Sequence, residues 1–141
     1  MPHSLRAKLL EFTDPQDPPQ LKSLEDCLAN VFSGCPSQDD KGALLEVFER
    51  FPEDDGFGVF WGIVHGLEHV DDYDQELVTS VRRKPTHFNT LMLNRMLNAG
   101  IEFAAGESIE GLLREVLSQG TLAGEVSKQV QGFLARRAAA Q

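Results

Sequence analysis

The sequence predicts an all-α protein of about eight helices in antiparallel pairs, arranged as a compact bundle or as a HEAT-like stack. Three observations carry this. Apolar residues recur at three- and four-residue spacing along most of the chain. Prolines, glycines and short polar residues break that spacing where helices start and stop. No run shows sustained apolar/polar alternation with β-branched residues; the weak exception is Ile101 to Ala105. The 141 residues suffice for one domain, 1–141, with a real core.

The elements follow in order. Leu5, Leu9 and Phe12 define a short first helix with Ser4 as N-cap. The segment TDPQDPPQ is a Pro-rich connector, and Pro19 starts a second helix whose face is Leu21, Leu24, Leu28, Val31 and Phe32. Gly34 ends it. Ser37 or Asp39 caps the third, with Leu44, Leu45, Val47, Phe48 and Phe51 inward and Pro52 as its stop. The fourth runs from about Gly56 to Val70. Phe57, Phe60, Trp61, Val64 and Leu67 lie on one side, with Val59, Ile63 and Val70 on another. A helix apolar nearly all round belongs at the centre of a fold. Gly58, Gly62 and Gly66 recur every fourth residue, which predicts a smooth face where another helix packs close.

The fifth helix spans Tyr73 to Arg83, with Leu77, Val78 and Val81 inward and Pro85 as breaker. The sixth, Thr86 to Ala99, carries Phe88, Leu91, Met92 and Met96, and Gly100 ends it. Ser108 caps the seventh, which carries Ile109, Leu112, Leu113, Val116 and Leu117 and closes at Gly120. The eighth carries Leu122, Val126, Val130, Phe133 and Leu134, and the tail RRAAAQ is expected to fray.

Charge is unevenly placed. Residues 1–75 hold 5 Lys/Arg against 16 Asp/Glu, whereas 76–141 hold 8 against 6. An acidic half repels nucleic acid and anionic membrane and attracts basic proteins. Its clusters flank the fourth helix: Glu53, Asp54 and Asp55 before it, Asp71, Asp72 and Asp74 after it. These carboxylates must lie where water or a basic partner reaches them. The two cysteines, Cys27 and Cys35, make no disulfide framework and are expected reduced. No segment approaches the ~20 apolar residues of a membrane span, and the N-terminus has no signal-peptide pattern, so the expected location is cytoplasmic.

Catalytic signatures are sparse. There is no nucleophile elbow, phosphate loop or dinucleotide fingerprint. His65-Gly66-Leu67-Glu68-His69 matches H-x-x-E-H, with the two histidines one helical turn apart as a zinc hydrolase requires. No second motif supplies a third ligand, and no metal or other cofactor is expected. One histidine reads instead as a hydrogen-bonded core residue, and His69 as favoured at a helix C-terminus. Glu68 on an apolar helix needs a partner, and Arg82, Arg83 and Arg95 are the candidate cations. Trp61, His65, Glu68 and Arg95 are therefore expected to form a structural network rather than a catalytic one. Asp39 reads most simply as a helix cap, and Asp54 and Asp55 as charges favoured ahead of a helix N-terminus.

The run FPEDDGFGVFWGIVHGLEHVDDYDQELVTSVRRKPTHFNTLMLNRMLNAG resembles small bacterial immunity proteins of contact-dependent inhibition and related polymorphic-toxin systems. The resembling elements are the acidic-Gly turn, the helix with Trp61, His65, Leu67 and Glu68, then Tyr73 with Leu77 and Ser80. A Pro85-led helix with Met92, Asn94 and Arg95 follows. They cover about a third of the chain. The resemblance implies an all-helical, non-enzymatic cytoplasmic protein that binds the C-terminal domain of one cognate toxin as a heterodimer. It implies no nucleic-acid, membrane or small-molecule partner. Many such toxins are nucleases with basic clefts, which an acidic surface can occupy as a phosphate mimic. The expected toxin-binding residues are Glu53, Asp54, Asp55, Asp71, Asp72, Tyr73 and Asp74. Tyr73, or Trp61 if partly exposed, is the candidate aromatic anchor, although Trp61 is expected in the core. A helical adaptor for another protein partner would use the same features.

Overall fold

A computed structural model describes residues 4–119, 122 and 124–140. Among them are eight α-helices: α1 (Leu5–Leu9), α2 (Pro18–Phe32), α3 (Gln38–Arg50), α4 (Phe60–Val70), α5 (Asp74–Arg83), α6 (His87–Asn98), α7 (Ile109–Leu117) and α8 (Gly124–Ala140). A two-strand hairpin, β1 (Phe103–Ala104) and β2 (Glu107–Ser108), interrupts the helical order at the expected weak strand. Of the two arrangements expected, the bundle forms. The third helix packs against α1, α4, α5 and α6, and α2 lies on α4, while α6, α7 and α8 form a second group.

Local chemistry sets the boundaries. Ser4 Oγ accepts from Ala7 N–H, and Arg50 donates to the carbonyls of Leu9, at the end of α1, and of Phe12 just beyond it. Gln20 Oε1 accepts from the main-chain N–H groups of Thr13 and Asp14, closing the Pro-rich connector. Asp17 caps α2 and Pro18, not Pro19, begins it. Ser37, not Asp39, caps α3, in a reciprocal box with Asp40; Asp39 pairs with Arg6 at 2.9 Å. Thr86 and Asn89 repeat that box at α6. Gly120 lies outside the described residues. The tail does not fray through Ala140: Arg137 bonds Glu110 at 2.9 Å and Glu102 at 2.6 Å, tying α8 to α7 and to the segment before β1.

The core centres on stacked rings. Phe48 lies 5.2 Å from Phe88 and 5.9 Å from Phe60, and Phe12 lies 6.0 Å from Phe60. The fourth helix is half of this core, not its buried axis. Phe60, Ile63, Val64 and Leu67 are inward, but Gly62, His65 and His69 share an exposed stripe. Two of the three spaced glycines do mark a close approach. A Cβ at Gly66 would overlap the Phe32 ring, so α2 sits directly over that residue, and one at Gly62, at the open edge of the contact, would meet Leu28 at 3.4 Å. Gly58 is instead part of the turn before the helix, with φ of +88°.

Candidate functional site

That turn reverses one expectation. Gly56–Gly58 is a single 3-10 turn, and Phe57 takes φ 50°, ψ 39°. The left-handed residue throws its ring outward, leaving it 70% exposed rather than on the inward face of α4. Asp54 Oδ1 accepts from Gly56 N–H, and Asp55 Oδ1 accepts from Phe57 N–H, at 2.8 and 3.0 Å. Gln16 also donates to Asp54. Two of the three carboxylates in the first acidic cluster therefore cap the turn, and Glu53 has no such bond.

The second cluster is built differently. The fourth helix stops at Asp71, whose φ of 64° and ψ of −172° belong to glycine's territory, and Asp72 follows at φ 53°. Lys41, on α3, holds this turn. It is only 5% exposed. Its Nζ donates at 3.0 Å to the carbonyls of Asp71 and Asp72 and to Gln38 Oε1. Gln38 Nε2 also donates to the Asp72 carbonyl and to Glu76. The ammonium thus engages main-chain oxygens, and neither the Asp71 nor the Asp72 carboxylate makes an ion pair among the described residues. Asp74 opens α5, where negative charge is favoured. Burial, then Asp71 and Asp72, raise its carboxyl above the usual range, while a main-chain bond from Ala105 pulls the other way.

Tyr73 sits between these acids, but its ring is only 5% exposed. It cannot be the exposed aromatic anchor the sequence offered. Burial, then Glu68, Asp74 and Asp71, push its phenol up to about 12.

The expected structural network is three-quarters assembled. Arg95 of α6 clamps Glu68 of α4 with two 2.8 Å bonds. Its guanidinium lies 5.7 Å from the Trp61 ring centre. Trp61 is half-buried, edge-on to Phe88 at 5.3 Å. His65 departs from expectation: it is exposed, makes no hydrogen bond among the described residues, and only leans on Trp61 at 5.5 Å. His69 is exposed as well. With Glu68 held by Arg95, H-x-x-E-H lacks a free general base, and among the described residues no group of three His, Cys, Asp or Glu is placed to hold a metal.

Sequence reasoning missed Lys41, Phe57 and the apolar surface of the hairpin, where Ile101 is 43% and Phe103 65% exposed. For Lys41 no local signal existed, since a lysine in an amphipathic helix is ordinarily solvated. Cys27 and Cys35 are both free. No described helix is long and apolar enough to cross a membrane. No protein family matches the chain, and no curated protein or solved structure matches it either.

Proposed function

We propose that this protein is an immunity protein that binds one cognate bacterial toxin domain, a nuclease with a basic cleft, and covers it with acidic surface in the cytoplasm. One observation carries the reading: among the described residues Glu53, Asp71, Asp72 and Asp74 have no cationic partner, although the fold has arginines to offer. Those arginines are committed elsewhere, Arg82 to Glu107 and Glu115, Arg83 to Glu49, Arg95 to Glu68, and Arg137 to Glu102 and Glu110. Burial first, and then the like charges of Asp71 and Asp72, raise the Asp74 carboxyl. A basic partner relieves that repulsion, and complementary potential speeds capture. A catalytic role has less support, because Glu68 is neutralised and the histidines face solvent singly.

The test is co-expression with the toxin domain encoded beside this gene. Rescue of growth and a one-to-one complex, with association slowing steeply as salt rises, are expected. No complex with that domain, together with a stable complex with a different cellular protein, would replace this reading by that of an adaptor.

A further inference from the structure

The two acidic clusters are not equivalent as surfaces. At the first, Asp54 and Asp55 each give an oxygen to capping the turn that carries Phe57. At the second, an open depression of about 550 Å³ lies beside the turn, lined by Glu68, Asp71, Tyr73, Arg95, Met96 and Ile101. Glu68 and Arg95 neutralise each other, which leaves Asp71 as the uncompensated charge in its wall.

Tyr73 is the second indication. Its side chain is more than nine-tenths buried, yet its hydroxyl has no hydrogen-bond partner among the described residues. Every fully buried side-chain nitrogen or oxygen described has one, so this hydroxyl keeps contact with solvent, and Tyr73 lines the depression. Asp71 and Tyr73, a carboxylate and a phenol without partners among the described residues, both line that space.

The rim beside it is apolar. Ile101 lines the depression, and Phe103 is exposed two residues on. Glu102 between them turns away to Arg137, so Ile101 and Phe103 share a face. The hairpin tip, Ala105 and Gly106, is at positive φ, and β1 packs against α5, which begins at Asp74 directly after the acidic turn. Turn and hairpin are therefore one surface.

We infer that this surface docks a basic protein segment. An arginine or lysine of the partner enters the depression against Asp71 and the Tyr73 hydroxyl, and its apolar neighbours cover Ile101 and Phe103. The inference rests on the toxin-binding reading for the partner's class and adds the face and the recognition chemistry. Buried apolar area supplies affinity there, and the carboxylates supply orientation and on-rate.

The probe is the peptide acetyl-Arg-Leu-Arg-Leu-amide, titrated into the ¹⁵N-labelled protein and followed by amide chemical shifts. Saturable shifts concentrated at Asp71–Asp74 and Ile101–Phe103 are expected, with none from the Glu-Leu-Glu-Leu counterpart. Phe103→Ser and the pair Asp71→Asn, Asp72→Asn should each weaken binding about threefold or more, while Phe57→Ser leaves it unchanged. All four positions are exposed, and the same spectra report whether each variant is folded. Shifts centred on Glu53–Phe57, shifts indifferent to Phe103→Ser, no shifts at all, or concentration-dependent shifts at Phe103 without peptide would each overturn this surface. Failure here is separable from failure of the toxin reading: a toxin complex that survives Phe103→Ser with both Asn changes keeps the function and moves the interface.

Discussion

Replacing Lys41 by Met tests whether one buried ammonium holds the acidic turn. Methionine keeps most of the apolar stem and removes the charge. Three hydrogen bonds at 3.0 Å disappear, two of them to the Asp71 and Asp72 carbonyls. Bonds to a charged group are each worth roughly 1.5–3 kcal/mol. Two effects reduce the sum. All three acceptors belong to exposed residues and regain water, and the ammonium's own desolvation is relieved. A net loss of about 2 kcal/mol remains, which lowers Tm by roughly 6 °C for a chain of this size and the urea midpoint by about 1 M. Amide exchange at Asp71–Tyr73 should accelerate more than exchange in α6. A loss below about 0.5 kcal/mol with unchanged exchange at the turn would refute the role given to Lys41.

Further outcomes follow from the same geometry. Asp71→Gly removes a side chain from a backbone conformation natural only to glycine, so it should raise stability by about 1 kcal/mol in urea unfolding while weakening capture of a basic partner. Tyr73→Phe should flatten the alkaline limb of stability. With its folded pKa of about 12 above the ordinary 10, the phenol's contribution is intact below pH 10 and lost as pH rises towards 12, a slope of at most about 1.4 kcal/mol per pH unit that the variant lacks. Gly66→Ala should cost about 1–3 kcal/mol by driving a methyl into the Phe32 ring, and Phe32→Ala should restore much of it. Gly62→Ala, with Leu28 at 3.4 Å, should be neutral or stabilising by up to ~1 kcal/mol. A double-mutant cycle on Arg95→Met and Glu68→Gln should give a coupling of about 1 kcal/mol, screened because both groups are partly wet. The emission of the chain's one tryptophan, Trp61, should shift when Arg95 is removed.

The helices were legible because each carries its own apolar stripe and its own stop. Ser4, Ser37 and Ser108 cap where short polar residues precede a stripe, and Pro52, Pro85 and Gly100 fall where stripes end. The Glu68–Arg95 pair was legible for a different reason: a carboxylate on an apolar helix requires a cation, and few were available. What failed has two causes, and the first is the local backbone. Counting Phe57 as inward assumed that helical periodicity extended back to Gly56, whereas Asp54 and Asp55 bind the main chain first and impose a left-handed turn. The same error made α4 look apolar all round. A period of 3.6 begun at Phe60 puts Gly62, His65 and His69 on one exposed face. Lys41 and the Tyr73 hydroxyl depend on contacts some thirty residues away or on the shape of a depression, and no window of sequence contains those.

The acidic turn works against the stability of the fold that carries it. Asp71 occupies backbone space that glycine would hold without strain, and Asp74 is partly buried beside Asp71 and Asp72, all of which raise its carboxyl above the usual range. Phe103 beside it exposes a ring that a polar residue would replace at no loss of core. Substitutions that relieve such features are simple and ordinarily stabilising. Each of these features leaves the isolated chain less stable. On the proposed docking reading, a second molecule that supplies the missing charge and covers the ring recovers that cost. Affinity for a basic partner and stability of the free protein should therefore move in opposite directions at Asp71, Asp74 and Phe103, and together at Lys41. That sign pattern, read from paired unfolding and binding measurements, separates a docking surface from a merely solvated one, where charge removal would leave binding untouched.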